Sequence, residues 1–429
     1  MRALRIASLI AVPLLLAALA IGFFLFERQG GFAPYRVPKD SGRVVANDAQ
    51  TLQRGEYLAR IGDCAACHTA SGGAPWAGGR GFATGYGMIY SSNLSSDREH
   101  GIGAWSVDEF ARAMRHGVSR RGPLYPVFPY EHFATLDEAD IDALYAYLRS
   151  LPASANVPPA NRLDFPAGWR SALVLWRMLH YRPQAQSPAA AREDRGRYLV
   201  DGLGHCAMCH STREANGALA VDGYLAGGRI PGSGWYAPPL DAKQLQRYSV
   251  EQLAGYLRAG ASDHGAAYGP MAEVTYRSLQ FLNEEDAVAM ARYLKNVPPR
   301  PARKTEFTLL PDPPRQQVVA GNGAEIYRQA CADCHGKDGE GKVGQYPALR
   351  DAVAATAPDP INAVRIVLYG GFAAATAHNP QPYSMPPFVQ QLNPGEIAAV
   401  TNYVRETFGG QRSQLTAADV EAMHGIVLD

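Results

Sequence analysis

Cys64-Ala-Ala-Cys67-His68 is the stretch on which the reading of this chain turns, because its form returns as Cys206-Ala-Met-Cys209-His210 and Cys331-Ala-Asp-Cys334-His335. The three pairs use all 6 cysteines of the 429 residues. The form C-x-x-C-H is a c-type haem attachment signal: two thiols add to the porphyrin vinyl groups, and the adjacent imidazole reaches the iron from one face. Two intervening residues set the sulfurs about one short turn apart, so the covalent clamp delivers the histidine to the metal. Zinc would require pairs more than a hundred residues apart to converge, and would leave the third pair and the histidines unexplained. A redox disulfide would need a thioredoxin-like βαβ context, which the sequence lacks. The pattern therefore predicts covalent haem c at Cys64, Cys67 and His68, at Cys206, Cys209 and His210, and at Cys331, Cys334 and His335.

The flanks repeat with the motif, and repetition at this scale decides architecture. RGEYLARIGDCAACH, RGRYLVDGLGHCAMCH and GAEIYRQACADCHG each place a glycine and a tyrosine on a short amphipathic helix running into the cysteines: Gly55 and Tyr57, Gly196 and Tyr198, Gly323 and Tyr327. Each unit closes on a second helix: LDEADIDALYAYLRSLP, LNEEDAVAMARYLKNVP and LNPGEIAAVTNYVRETFG. Asp137, Asn283 and Asn393 stand at the N-cap positions, acidic residues follow in the first turn, and proline or glycine ends each helix.

On these motifs each unit resembles a small class I cytochrome c domain. The resemblance implies that opening and closing helices cross closely, with Gly55 against Tyr147, Gly196 against Tyr293, and Gly323 against Tyr403. The expected fold is mostly α: an N-terminal transmembrane helix in residues 1–30, then three tandem cytochrome c domains over 48–152, 190–298 and 316–410. Pro-rich connectors join them, SLPASANVPPANR and NVPPRPARKTEFTLLPDPPR.

An iron that only carries electrons needs both axial positions filled. Met385 in Pro382-Tyr383-Ser384-Met385-Pro386-Pro387-Phe388 and Met271 in Tyr268-Gly269-Pro270-Met271 are the expected sixth ligands of the third and second haems. Met114 and Met290 sit at helical spacing on apolar faces and read as core. Met208 lies inside a haem motif, and Met423 in the tail. The equivalent loop of the first unit, LYPVFPYEHF (124–133), contains no methionine. Triheme cytochrome subunits of membrane-bound bacterial dehydrogenases, which the chain resembles over nearly its whole length, often carry methionine where Phe128 stands. His132 is the nearest alternative donor, with Met88, Met114, His100 and His116 as competitors and a five-coordinate first haem as the other outcome. Two imidazoles would give the first haem the lowest potential, since they hold Fe(III) better than an imidazole and a thioether do.

With 41 basic and 40 acidic residues the net charge is +1, which excludes an electrostatic nucleic-acid surface. Arg2 and Arg5 precede an uncharged run from Ile6 to Phe26, long enough to cross a bilayer. Ala18-Leu19-Ala20 offers a signal-peptidase site, but the apolar run continues past it, which favours an uncleaved anchor with the remainder on the periplasmic face of the bacterial inner membrane. No Gly-rich nucleotide loop, nucleophile elbow or spare cysteine supplies catalysis. The reading is an electron-transfer subunit. The resemblance implies a catalytic dehydrogenase partner of the molybdenum, pyrroloquinoline quinone or flavin type, allows for a small iron–sulfur subunit, and implies ubiquinone or a terminal oxidase as acceptor. The Phe128 form of the loop resembles the cytochromes that accompany molybdenum hydroxylases acting on aldehydes or N-heterocycles. Phe165-Pro166-Ala167-Gly168-Trp169-Arg170 resembles a family segment between the first two domains, whose Trp169 and Trp176 face a membrane or quinone or else belong to a linker helix packed on the first domain. A peroxidase-like enzyme using a vacant first haem, or a terminal-oxidase cytochrome, are the competing classes.

Overall fold

The structure is a computed structural model that describes residues 2–29, 31, 39–181, 194–300, 322–342 and 345–424, with side chains from Val12 onward. The expected domain starts at 190 and 316 and most of the second connector (296–315) lie outside these residues. The chain forms two compact units, Met1–Gly55 with Ala70–Ser187, and Glu56–Thr69 with Pro188–Asp429. Both are mostly helical, with short antiparallel hairpins as the sheet content.

The opening helix Ala49–Ile61 meets the closing helix Glu138–Ser150 at Gly55, a contact within the first unit. A Cβ there would overlap the Ala143 carbonyl oxygen and lie 2.6 Å from Tyr147 Cβ. The backbones approach so closely that only glycine fits. The same contact recurs twice in the second unit. Gly196 abuts Ala289 O and would bring a Cβ to 2.8 Å from Tyr293 Cβ, and Gly323 abuts Ala399 O with Tyr403 Cβ at 3.0 Å. All three expected glycine–tyrosine pairs are therefore present.

Several local expectations need correction. The second opening segment is not one α-helix: a turn of α-helix, Arg195–Arg197, passes into a π-helix, Tyr198–Leu203. The N–H of Gly204 reaches back five residues to Leu199 O at 2.7 Å, a widening that side-chain-free Gly202 and Gly204 accommodate just before the cysteines. Asn283 and Asn393 cap as expected, accepting from the N–H groups of Asp286 at 2.7 Å and Glu396 at 3.0 Å. Asp137 occupies its N-cap position without making a side-chain cap bond. Arg43 instead engages Glu138 in the first turn of that helix at 2.5 Å and Asp142 one turn further on at 2.7 Å. The first connector (150–162) is not a loose tether. Asn93 donates to the carbonyls of Ser154 and Asn156 at 2.8 and 3.0 Å, Asn156 donates to Ala77 O at 2.8 Å, and Arg162–Leu163 adds a strand to the Gly81–Thr84/Gly87–Tyr90 hairpin.

The helix Arg170–His180 packs on the first unit through Leu173, Val174 and Arg177 and leaves Phe165, Trp169, Leu175 and Leu179 exposed. At the chain start, Arg2–Arg28 forms one helix whose described apolar side chains, Leu14 to Leu25 among them, are mostly exposed. Among the described residues, no helix is long and apolar enough to cross a membrane.

Replacing Gly323 with alanine should destabilise the protein by about 1–3 kcal/mol through forced separation of the two helices. Gly255, exposed inside the helix Val250–Ala259 with nothing within 4 Å of its Cβ position, should tolerate alanine with a gain of about 0.5–1 kcal/mol. Chemical denaturation of the two variants, read against the parent chain, checks the pair.

Candidate haem sites

The helix crossings aim each opening segment at its cysteine pair. In all three motifs the chain makes a single helical turn, with the histidine N–H donating to the carbonyl of the first cysteine: His68 to Cys64 at 3.0 Å, His210 to Cys206 at 2.9 Å, and His335 to Cys331 at 2.9 Å. None of the six cysteines forms a disulfide. Burial pushes the thiols of Cys64 and Cys206 up to about 12 and that of Cys331 up to about 11. Among the described residues, no group of three His, Cys, Asp or Glu side chains converges as a metal site. The cysteine pairs thus stand as separate turns, not as one shared zinc centre.

Two of the histidines are oriented for ligation. Nδ1 of His210 lies 2.7 Å from Pro238 O, and Nδ1 of His335 lies 2.9 Å from Pro347 O. A carbonyl oxygen only accepts, so Nδ1 carries the proton in both rings and Nε2 keeps its lone pair for a metal. Burial lowers both imidazoles below the usual histidine range, which keeps them neutral as ligation requires.

Of the expected sixth ligands, Met271 is the second residue of the helix Pro270–Arg277, where its carbonyl accepts from the Thr275 hydroxyl at 3.0 Å. Trp235 packs against Tyr268 with ring centroids 5.7 Å apart, and a Cβ on Gly269 would sit 2.9 Å from the same indole. Met385 lies on the strand Ser384–Met385, paired with Gly371–Phe372, and Pro386 and Pro387 fix the chain after it. His132 is 1% exposed on the short helix Tyr130–Phe133. In the same loop Phe128 packs on Phe133 with centroids 5.4 Å apart, so Phe128 is a packing residue. Among the competitors, Met114 is buried on the inner face of the helix Val107–His116, and the His116 carbonyl accepts from Arg177 at 2.6 Å. Met88 lies on the Gly87–Tyr90 strand, and the His100 N–H donates to Asp97 at 2.7 Å. Met290 is 2% exposed in the core of the closing helix Glu284–Lys295.

Two features escaped the sequence reading. The arginine before the crossing glycine forms a fork with an aspartate in the first turn of the closing helix: Arg54 with Asp140 at 2.9 and 3.0 Å, and Arg195 with Asp286 at 2.8 Å through both nitrogens. The repeated Arg-Gly ahead of the motif was the available signal. Tyr57 also donates to Asp286 at 2.6 Å, so the first motif is tied to the second repeat. Further ties are Ser278 Oγ to Ile61 O at 2.8 Å and His205 Nε2 near Gly62 O at 3.4 Å. Consequently all three cysteine motifs belong to the same compact unit, 56–69 with 188–429.

Residues 52–152 and 320–408 match the cytochrome c family. The chain is 40% identical over 401 residues to the gluconate 2-dehydrogenase cytochrome c subunit of Pantoea cypripedii, covering 88% of this chain and 90% of that protein. It is 35% identical over 407 residues to the cytochrome c subunit of the quinone alcohol dehydrogenase of Gluconobacter oxydans, covering 89% and 84%. Against a nicotinate dehydrogenase subunit of Pseudomonas putida it is 39% identical over 392 residues, 88% of this chain and 31% of that protein. Covalent haem attachment turns on small helical cytochrome units define an electron carrier. The chain belongs to the family of dehydrogenase cytochrome c subunits, and it is a haem c electron-transfer subunit.

Met114→Leu and Met290→Leu should each cost less than about 1.5 kcal/mol and leave the visible spectrum of the holoprotein unchanged, because both thioethers fill core space. An altered haem spectrum in either variant would reassign that methionine.

Proposed function

We propose that the chain carries three covalent c haems and relays electrons from a periplasm-facing dehydrogenase to ubiquinone or a terminal oxidase. The observation that carries this reading is the common turn of the three C-x-x-C-H motifs, two of whose histidines hold Nδ1 on a proline carbonyl and keep Nε2 for iron. In this reading Cys64, Cys67 and His68, Cys206, Cys209 and His210, and Cys331, Cys334 and His335 hold the haems. Met271 and Met385 close the second and third irons, and His132 closes the first. The bonds tying the Cys64 segment to the second repeat support short hops between neighbouring centres. The domains are those read from the repeats, 48–152, 190–298 and 316–410.

The membrane is the natural support for such a relay. The uncharged run Ile6–Phe26 within the helix Arg2–Arg28 is the proposed inner-membrane anchor, leaving the haem domains in the periplasm. The exposed Phe165, Trp169, Leu175 and Leu179 lie on or beside the helix Arg170–His180, whose Ser171 donates to Gly31 O at 2.6 Å just after that anchor, and this apolar edge is the face turned to lipid or quinone. The catalytic partner is a dehydrogenase subunit of the flavin, pyrroloquinoline quinone or molybdenum type. Similarity to gluconate, alcohol and nicotinate dehydrogenase subunits supports a catalytic dehydrogenase partner, and the Phe128 form of the loop is the basis for placing it in the molybdenum branch with a small iron–sulfur subunit.

Carbon monoxide added to the reduced holoprotein should bind none of the haems, and His132→Ala should open one low-spin haem to it. Rapid binding to the parent protein would favour an enzyme with a vacant iron. Three unchanged low-spin haems in the variant would remove His132 from the ligand set.

A further inference from the structure

The first two repeats reach their distal loops through the same pair of elements, a helix and a short hairpin. Val107–His116 leads to the strands Val118–Ser119 and Gly122–Pro123, and Val250–Ala259 leads to Ala261–Ser262 and Gly265–Ala266. Glu109 and Gln252 are matching residues, each closing the capping box of its helix, and Arg120 and Asp263 each begin the hairpin turn. In the first repeat the angle between helix and hairpin is shut by an ion pair: Arg120 Nε donates to Glu109 at 2.7 Å, and the same guanidinium donates to the Ala104 carbonyl. Gln252 and Asp263 carry no opposite charges, and in the second repeat a cavity of about 310 Å³ stands at the same place.

Two repeats build this cavity. Tyr256 and Arg258 line it from the helix and His264 from the hairpin, while His378 comes from the third repeat. The His378 loop is held there by Thr376, whose hydroxyl donates to Ala259 O at 3.4 Å, and by Ala377, whose N–H donates to Gln280 at 3.4 Å. Elsewhere the junction is fixed by the Arg229–Asp359 ion pair at 2.6 Å and by Asn362, which accepts from the Tyr236 N–H at 2.9 Å. The His264 ring rests edge-on against Tyr248, with centroids 4.8 Å apart. Arg258 Nε is buried without a hydrogen-bond partner among the described residues. None of Cys206, Cys209, His210 and Met271 lines the cavity, so it is separate from the second haem site.

The chemistry of the lining says what fits. Three basic side chains, Arg258, His264 and His378, border a space whose single acid, Asp263, is solvent-exposed. A buried guanidinium N–H left unpaired costs free energy that a bound acceptor returns. The planar fork favours a carboxylate, and the Tyr256 ring with Ala259 and Ala261 offers an apolar wall to an organic body, which inorganic phosphate would leave uncovered. Small-molecule sites run to roughly 300–1,000 Å³, and this one, at the lower end, limits the guest to a small one. We propose that the cleft binds a small organic carboxylate, its charge on Arg258, His264 and His378 and its body on Tyr256. The bound guest bridges the second and third repeats, and the assignment does not depend on which residues close the irons.

Isothermal titration calorimetry of the full-length holoprotein at constant ionic strength tests this, with sodium benzoate as the probe and benzamide and sodium phosphate as controls. The expected result is saturable binding of one benzoate per chain, with benzamide and phosphate each at least about tenfold weaker. Arg258→Gln should weaken benzoate by about tenfold or more, the loss of a charge-assisted pair. His378→Gln, at an exposed loop position, should weaken it severalfold and serves as the second variant should Arg258→Gln not accumulate. Absence of saturable benzoate binding at millimolar concentration would overturn the inference. So would equal affinity for phosphate or benzamide, or an unchanged benzoate affinity in either variant.

Discussion

Everything in this molecule depends on how closely two helices cross. At Gly55, Gly196 and Gly323 the opening helix lies on the carbonyl of an alanine one turn before a closing-helix tyrosine, a separation that a methyl group would abolish. The crossing fixes where the opening segment ends, and therefore where each cysteine turn projects. In the first two repeats an arginine–aspartate fork clamps it from outside: the carboxylates of Asp140 and Asp286 are almost wholly buried, so the ion pair is required once the aspartate is in place.

From that frame the chemistry follows with few added parts. The polypeptide supplies a turn that sets two sulfurs and an imidazole in register, a proline carbonyl that fixes the tautomer at His210 and His335, and prolines beside Met271 and Met385 that fix the chain there. None of these groups moves protons or bonds, as suits a carrier whose iron changes only its charge. The Cys64 turn is bound to the second repeat by Tyr57, Ile61 and Gly62, and the second repeat to the third by the Arg229–Asp359 pair and the Asn362–Tyr236 contacts. In the proposed relay, contacts of this kind between repeats would hold hop distances constant in a way that flexible tethers could not.

Much of this was legible in the sequence because covalent haem chemistry tolerates no variation in spacing. The motifs, the crossing glycines and their tyrosine partners, and the caps at Asn283 and Asn393 all follow from local pattern. What was not legible depends on distant contacts or on subtle backbone choices. The π-helical passage at Tyr198–Leu203 answers to two glycines that also suit an ordinary helix end. Asp137 looked like a cap, but Arg43 claimed the first turn of its helix from almost a hundred residues away. The first connector looked like a spacer, yet Asn93 and Asn156 pin it to the first unit.

The central claim is that each cysteine turn holds iron porphyrin covalently. Pyridine haemochrome analysis of the full chain, matured in a host with a working c-type assembly system and paired with intact mass, measures it most directly. The account predicts three haems per polypeptide, retained after denaturation. One or two would contradict it, as would a full complement released by denaturant.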